Sequence, residues 1–172
     1  MQDNDVIQEV DEHDSPIGGM SRKEAKLTGR KYRIVRVIVE DEHGNTLVQK
    51  RVASKDSYPN CWDNAAAGHV DLGESYDEAV KRELQEEIGV TNADLEEVAY
   101  FYSEVITPIG QKMNRFTKIY KTVLPHNTNF VCQPSEVSEV QWITKDELRA
   151  MAEENTQITD GLLLTCERYY LQ

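Results

Sequence analysis

Between Gly68 and Val90 the chain reads GHVDLGESYDEAVKRELQEEIGV, a spacing at which the four carboxylates of Glu74, Glu83, Glu86 and Glu87 converge in a stretch that also carries Arg82. Carboxylates crowd together only if something offsets their repulsion, and hard oxygen donors of this kind suit Mg2+ or Mn2+. Magnesium prefers a few carboxylates plus phosphate oxygens and waters to a closed protein cage. The chemistry implied is attack of water on a diphosphate, with metal neutralising the phosphoryl oxygens and one carboxylate orienting or deprotonating the water. Each piece also has a bland meaning: a Glu-Glu pair on a helix is usually a solvated face, and an Arg four residues before a Glu a surface pair. Their joint spacing carries the reading.

Such a site needs a helix to hold it. Ser75 with Glu78 forms a capping box, Gly89 is a natural stop, and the helix between them is about 13 residues long. Val80, Leu84 and Ile88 recur every four residues as the buried stripe, which sets Glu83 and Glu87 together at its edge and Glu86 on the neighbouring flank. Arg82 stands one turn before Glu86 and one turn after Glu78, positioned to clamp carboxylates. Gly68 precedes the loop into the helix, where a missing side chain lets a backbone carbonyl approach a metal.

The remaining elements follow from period and turn chemistry. Ile7 to Val10 reads as a short strand, DEHDSPIGG as a turn-rich segment, and Ser21 to Leu27 as a short helix. Asp11, His13 and Asp14 lack further ligand spacing and are read as a solvated turn. Tyr32 to Glu40 and Thr46 to Arg51 are strands joined by DEHGN, whose Gly44-Asn45 tolerates positive φ. A loop leads to Trp62-Asp63-Asn64 and the small-residue strand AAAGH. Strands are expected near Leu95 to Ser103, Arg115 to Leu124 and Val140 to Ile143, a helix capped by Thr144 and Glu147 runs to about Glu154, and Leu162 to Leu171 suggests a closing helix. Interleaving without regular βαβ alternation predicts a mixed sheet between helices.

Composition narrows the function. With 172 residues the chain fits one domain with a sizeable core, residues 1–30 forming an extension of that domain because no linker sets them apart. A net charge of -12 disfavours nucleic-acid polymers. No run of 18 apolar residues and no secretion-signal layout is present, so no membrane partner is expected and the location expected is cytoplasmic. Cys61, Cys132 and Cys166, odd in number and without CxxC spacing, are read as free thiols, Cys166 in a helix core. Arg30, Lys31, Arg33, Arg36, Lys50 and Arg51 are local cations that a diphosphate needs, although each singly reads more readily as a solvated strand flank.

The residues from Gly68 to Val90 match the full Nudix box, G-x5-E-x7-R-E-U-x-E-E-x-G-U with U aliphatic, and the chain resembles the Nudix hydrolase superfamily. The resemblance implies an α/β/α sandwich with a central mixed sheet from about Tyr32 to Glu154, and hydrolysis of a nucleoside or other small organic diphosphate linked to a further group. It implies Mg2+ or Mn2+ held by Glu83, Glu86, Glu87 and the Gly68 carbonyl, with Glu86, Arg82 and Glu83 the catalytic set and the identity of the base variable within the family. A further carboxylate would come from Glu136 or Glu139. His69, Glu74, Arg33, Arg51 and Glu139 are the candidate substrate contacts, His69 reading equally as a loop-orienting hydrogen-bonder. A homodimer is left open.

VDEHDSPIG, SRKEA and SYPNCWDNAAAGHVDLGES further resemble the isopentenyl-diphosphate-isomerase-like branch. Isomerases of that branch use a cysteine before G-H, metal-binding histidines and later glutamates; here Ala67, Lys26, Tyr32, Met113 and Arg115 stand near those places and only His69 remains. Alanine cannot move a proton across allylic carbons, so isomerisation is disfavoured, as is a diphosphate sensor, which would carry a broken box or an added domain. Tyr58, Trp62, Tyr102 and Phe116 could stack on a base, and a nucleotide-linked substrate is expected over a prenyl one.

Overall fold

The computed structural model describes residues 5–172. Strands β1 (Val6–Val10) and β2 (Pro16–Ser21) form an antiparallel hairpin. The turn expected across this stretch is confined to its start, where Asp11 Oδ1 accepts from the backbone N–H groups of His13 and Ser15. Gly18 and Gly19 lie in the strand itself, and at Gly19 any Cβ would come within 2.7 Å of Val6. Gly19 therefore marks close packing rather than turning. Helix α1 (Arg22–Thr28) is capped by the Ser21 side chain and stopped by left-handed Gly29.

Strand β3 (Tyr32–Glu40) is the axis of the mixed sheet. It runs parallel to β8 (Lys112–Val123), pairs antiparallel with β6 (Ala66–His69), and meets β1 through Glu9 and Tyr32. Strand β7 (Glu96–Ile106) flanks β8. A second group sets β4 (Thr46–Arg51) between β5 (Trp62–Asn64) and β9 (Val137–Ile143). The two groups join between β3 and β4 at the pair Glu40–Thr46, so the sheet forks beyond that point. The Asp41–Asn45 turn closing this junction uses positive φ at Gly44; Asn45 does not need it, because its N–H is held by Asp41 Oδ1.

Helix α2 (Tyr76–Ile88) covers one face, packing Ala79, Val80, Leu84 and Ile88 against Val35, Val37 and Val39 of β3. On the other face Leu148 and Ala152 of α3 (Lys145–Glu154), Leu162 of α4 (Asp160–Thr165) and Cys166 pack on Val48 of β4. This is the α/β/α sandwich expected. Three boundaries move. The β7–β8 hairpin extends to Ile106 and Lys112 because Thr107 closes a tight turn with Gln111, β9 begins at Val137, and the closing helix starts earlier on the Thr159 cap and widens to a π-helical turn over Cys166–Tyr170. Cys166 is buried in that helix core, as read. Among the described residues no helix is long and apolar enough to cross a membrane.

Candidate active site

Helix α2 begins and ends where its residues dictate: Ser75 and Glu78 exchange both capping-box hydrogen bonds, and Gly89 adopts the left-handed stop. Because Leu84 and Ile88 seat one stripe in the core, Glu83 and Glu87 are carried under the sheet and buried, while Glu86 stays exposed. Glu83 lies flat on β6. A Cβ at Gly68 would land on the Glu83 carboxylate, so only glycine allows this approach. Glu87 reaches both arms of the fork, accepting from Gln49 Nε2 on β4 and from the Ala67 N–H on β6 at 3.3 Å.

Burial, and next the charge of Glu83, pushes the Glu87 carboxyl well above the usual carboxylate range. Burial also pushes Glu83 up, against the opposing pull of Arg82. The two carboxyls, one helical turn apart, titrate against each other. Two buried carboxylates one turn apart ionise together only when a cation joins them. Arg82 supplies part of that charge: its Nε and Nη2 grip Glu74 at 2.8 and 2.9 Å, Nη1 meets Glu83 at 2.7 Å and Glu86 at 3.4 Å, and Nη2 donates to the His69 carbonyl at 2.9 Å. Burial works against the Glu74 anion, but this bidentate grip and the Asp71 N–H hold its pKa below the ordinary value.

The donor set fits Mg2+ or Mn2+. Glu83, Glu86 and Glu87 offer hard oxygens, two of them in surroundings that disfavour uncompensated anions, against a strand that glycine keeps open. Among the described residues no ready-made array of three such ligands is found, and Arg82 Nη1 lies 2.7 Å from Glu83 and 3.4 Å from Glu86.

The remaining candidates divide. His69 points to the opposite side of β6, its ring 5.2 Å from that of Tyr32, and burial together with Arg22, Lys26, Arg115 and Arg36 holds its pKa well below the imidazole norm. Arg51 lies in the fork, donating to the Ser57 carbonyl at 2.9 Å and reaching Asp63 at 3.5 Å. Arg33 does not join the carboxylates: it grips Asp14 at 2.7 Å and lies over the Tyr76 ring at the far end of α2. Glu139 pairs with Lys50 at 3.8 Å and Glu136 with Lys55, so the contacts of both lie with lysines rather than with the α2 glutamates. Tyr102 and Phe116 pack on each other, ring centroids 4.8 Å apart.

Gln49, Asp63 and Asp160 were not legible as site residues. Gln49 carried a signal, a polar residue in the apolar phase set by Leu47, whereas Asp63 and Asp160 acquire meaning only from the residues the fold brings to them. Arg36, expected as a solvated flank, is instead buried, because β3 is a central strand covered on both faces. A surface hollow of about 630 Å³ between α2 and residues 90–95 shares no residue with the carboxylate cluster.

A family model for the NUDIX domain matches residues 30–163. An uncharacterised Nudix hydrolase of Yersinia pestis is 33% identical over 147 residues, covering 86% of this chain and 77% of the relative. An isopentenyl-diphosphate Delta-isomerase of Photorhabdus laumondii is 29% identical over 148 residues, covering 86% and 82%. A crystal structure of a Deinococcus radiodurans protein superposes with TM-score 0.80 at 25% identity, covering 95% of this chain and 99% of that one. The NUDIX domain of Shewanella oneidensis NrtR, complexed with ADP ribose, superposes with TM-score 0.63 at 20% identity, covering 89% and 100%. With a complete box on a capped helix and a family model spanning most of the sequence, the chain belongs to the Nudix hydrolase family.

Proposed function

We propose that the protein is a Mg2+- or Mn2+-dependent hydrolase of a nucleoside diphosphate linked to another moiety, or of a similar small organic diphosphate. The observation that carries this reading is the buried pair Glu83, pressed against Gly68, and Glu87, held by Gln49 and the Ala67 N–H, an arrangement that is costly unless a cation offsets it. Glu83, Glu86, Glu87 and the Gly68 carbonyl would hold the metal, which when bound neutralises phosphoryl oxygens and polarises water. Gln49 and the Ala67 N–H orient Glu87, and Arg82 fixes Glu74 and Glu83. Exposed Glu86 is free to take a proton from an approaching water and is the first choice for base. His69, Glu74, Arg51 and the aromatic rings of Tyr58 and Trp62 serve substrate positioning.

Residues 1–172 act as one unit, with the cytoplasm as the expected location. Isomerisation is the lesser reading, because Ala67 offers no proton to an allylic carbon. The test is release of phosphate or pyrophosphate from nucleoside triphosphates, nucleotide sugars, ADP-ribose, dinucleoside polyphosphates, coenzyme A and prenyl diphosphates, with Mg2+ and with excess chelator. Turnover abolished by chelator supports the proposal. Full activity in chelator, or isomerised product without hydrolysis, overturns it.

A further inference from the structure

On the side of β6 facing away from Glu83, β3 and β8 bury two arginines, of which Arg115 is paired with Asp160 while burial and the neighbouring Arg115 work against the charge of Arg36. Arg36 is 4% exposed and Arg115 2% exposed, and the Nε of each is buried without a hydrogen-bond partner among the described residues. Arg36 reaches Asp63 and Asn64 only at 3.5 Å. A Cβ at Gly161 would land on the Arg36 guanidinium, so only glycine lets the group lie against the α4 backbone. Arg115 pairs with Asp160, and its Nη1 donates to the Met113 sulfur at 3.1 Å. Each arginine feels the other's charge, and Arg22 and Lys26 crowd the same region around His69.

A buried guanidinium missing part of its hydrogen bonding costs several kcal/mol, and with both Nε atoms unpartnered and Arg36 held only by 3.5 Å contacts, an incoming oxyanion would complete what Asp160 leaves undone. Register places this pair beside the proposed metal site without merging the two. Arg36 lies opposite Ala67 in the β3–β6 ladder, and the Ala67 N–H donates to Glu87 while Gly68, the next residue, faces Glu83. A ligand touching both would have to pass the edge of β6 in the fork.

We propose that Arg36 and Arg115 form a recognition site for a second acidic group of the substrate, a phosphate or carboxylate carried on the moiety beyond the scissile diphosphate. The proposal rests on the hydrolase reading above and narrows the substrate class to diphosphates with an acidic distal group. Planar, always-charged guanidinium groups match such oxyanions with paired donors.

The test compares matched substrates: coenzyme A against 3′-dephospho-coenzyme A for a phosphate, and UDP-glucuronate against UDP-glucose for a carboxylate. In the wild type the acidic member of at least one pair should have about tenfold higher kcat/KM, and Arg36→Gln and Arg115→Gln should remove that preference while changing the neutral member less than about threefold. Equal turnover within both pairs, or a preference that survives both substitutions, overturns the proposal. Arg36→Lys keeps the charge for cases where the glutamine variants do not fold, and it should retain a reduced preference; an undiminished one counts against the site. If no diphosphate is hydrolysed at all, the hydrolase reading fails by itself, and calorimetry with inorganic phosphate decides the anion site: binding by wild type that Arg36→Lys weakens supports it, and no binding overturns it.

Discussion

At Gly68 a hydrogen in place of a methyl group decides whether the Glu83 carboxylate can lie against β6. Backbone freedom is not the reason, since the residue sits in a regular antiparallel ladder opposite Val35. Gly68→Ala is expected to push Glu83 off the strand and lower kcat about 10²-fold or more, because displacements near 1 Å at a reacting centre have effects of this size. Steady-state kinetics with a Mg2+ titration checks it, and undiminished activity would show that the close approach is dispensable. At the neighbouring position Ala67, the side chain has no proton to give, yet its N–H still orients Glu87.

Helix α2 separates stability from chemistry by face. Leu84 is 1% exposed and seated on β3, so Leu84→Ala should destabilise the fold by about 2–5 kcal/mol in urea unfolding while the folded fraction keeps its kcat. The Glu86 side chain is 57% exposed, so Glu86→Gln should leave the unfolding midpoint nearly unchanged while lowering kcat by about 10²–10⁴-fold. A Glu86→Gln variant that loses stability but not turnover would reduce Glu86 to a surface partner of Arg82. The opposite end of the same helix serves positioning: Tyr76 donates to Asp14 at 2.9 Å, and Arg33 grips the same carboxylate, tying the N-terminal hairpin to the sandwich.

For the molecule as a whole, the raised pKa values of Glu83 and Glu87 link folding to pH and metal. A carboxyl whose folded pKa exceeds the ordinary 4.5 binds more protons folded than unfolded in the interval between the two, so stability falls as pH climbs through it. A cation that binds the ionised pair removes this loss. In chelator the melting temperature should therefore drop from about pH 5 toward pH 8, and Mg2+ should raise it more at pH 8 than at pH 5. Thermal unfolding across that range checks the sign, and an equal metal effect at both ends would mean that Glu83 and Glu87 do not meet the ion.

The α2 box was readable from residues 68 to 90 because its information is local: caps, a four-residue apolar repeat and glutamates at fixed offsets all act within a few turns of one helix. The strands β3 and β4 and a mixed sheet between helices were likewise legible from the pattern of strands and turn residues, and the family resemblance made that sheet an α/β/α sandwich. Pro16–Ser21 was not, since its glycines announce a turn by composition and only the pressure of Val6 shows why the strand needs one at Gly19. Arg33 and Arg36 look alike in the sequence, yet one holds Asp14 at the start of α2 and the other is buried in the fork. That difference, and the meeting of Gln49 with Glu87 and of Arg115 with Asp160, arises from contacts between residues far apart in the chain. Such pairings carry no local period, so only the divergence of β3 from β4 in the folded molecule decides them.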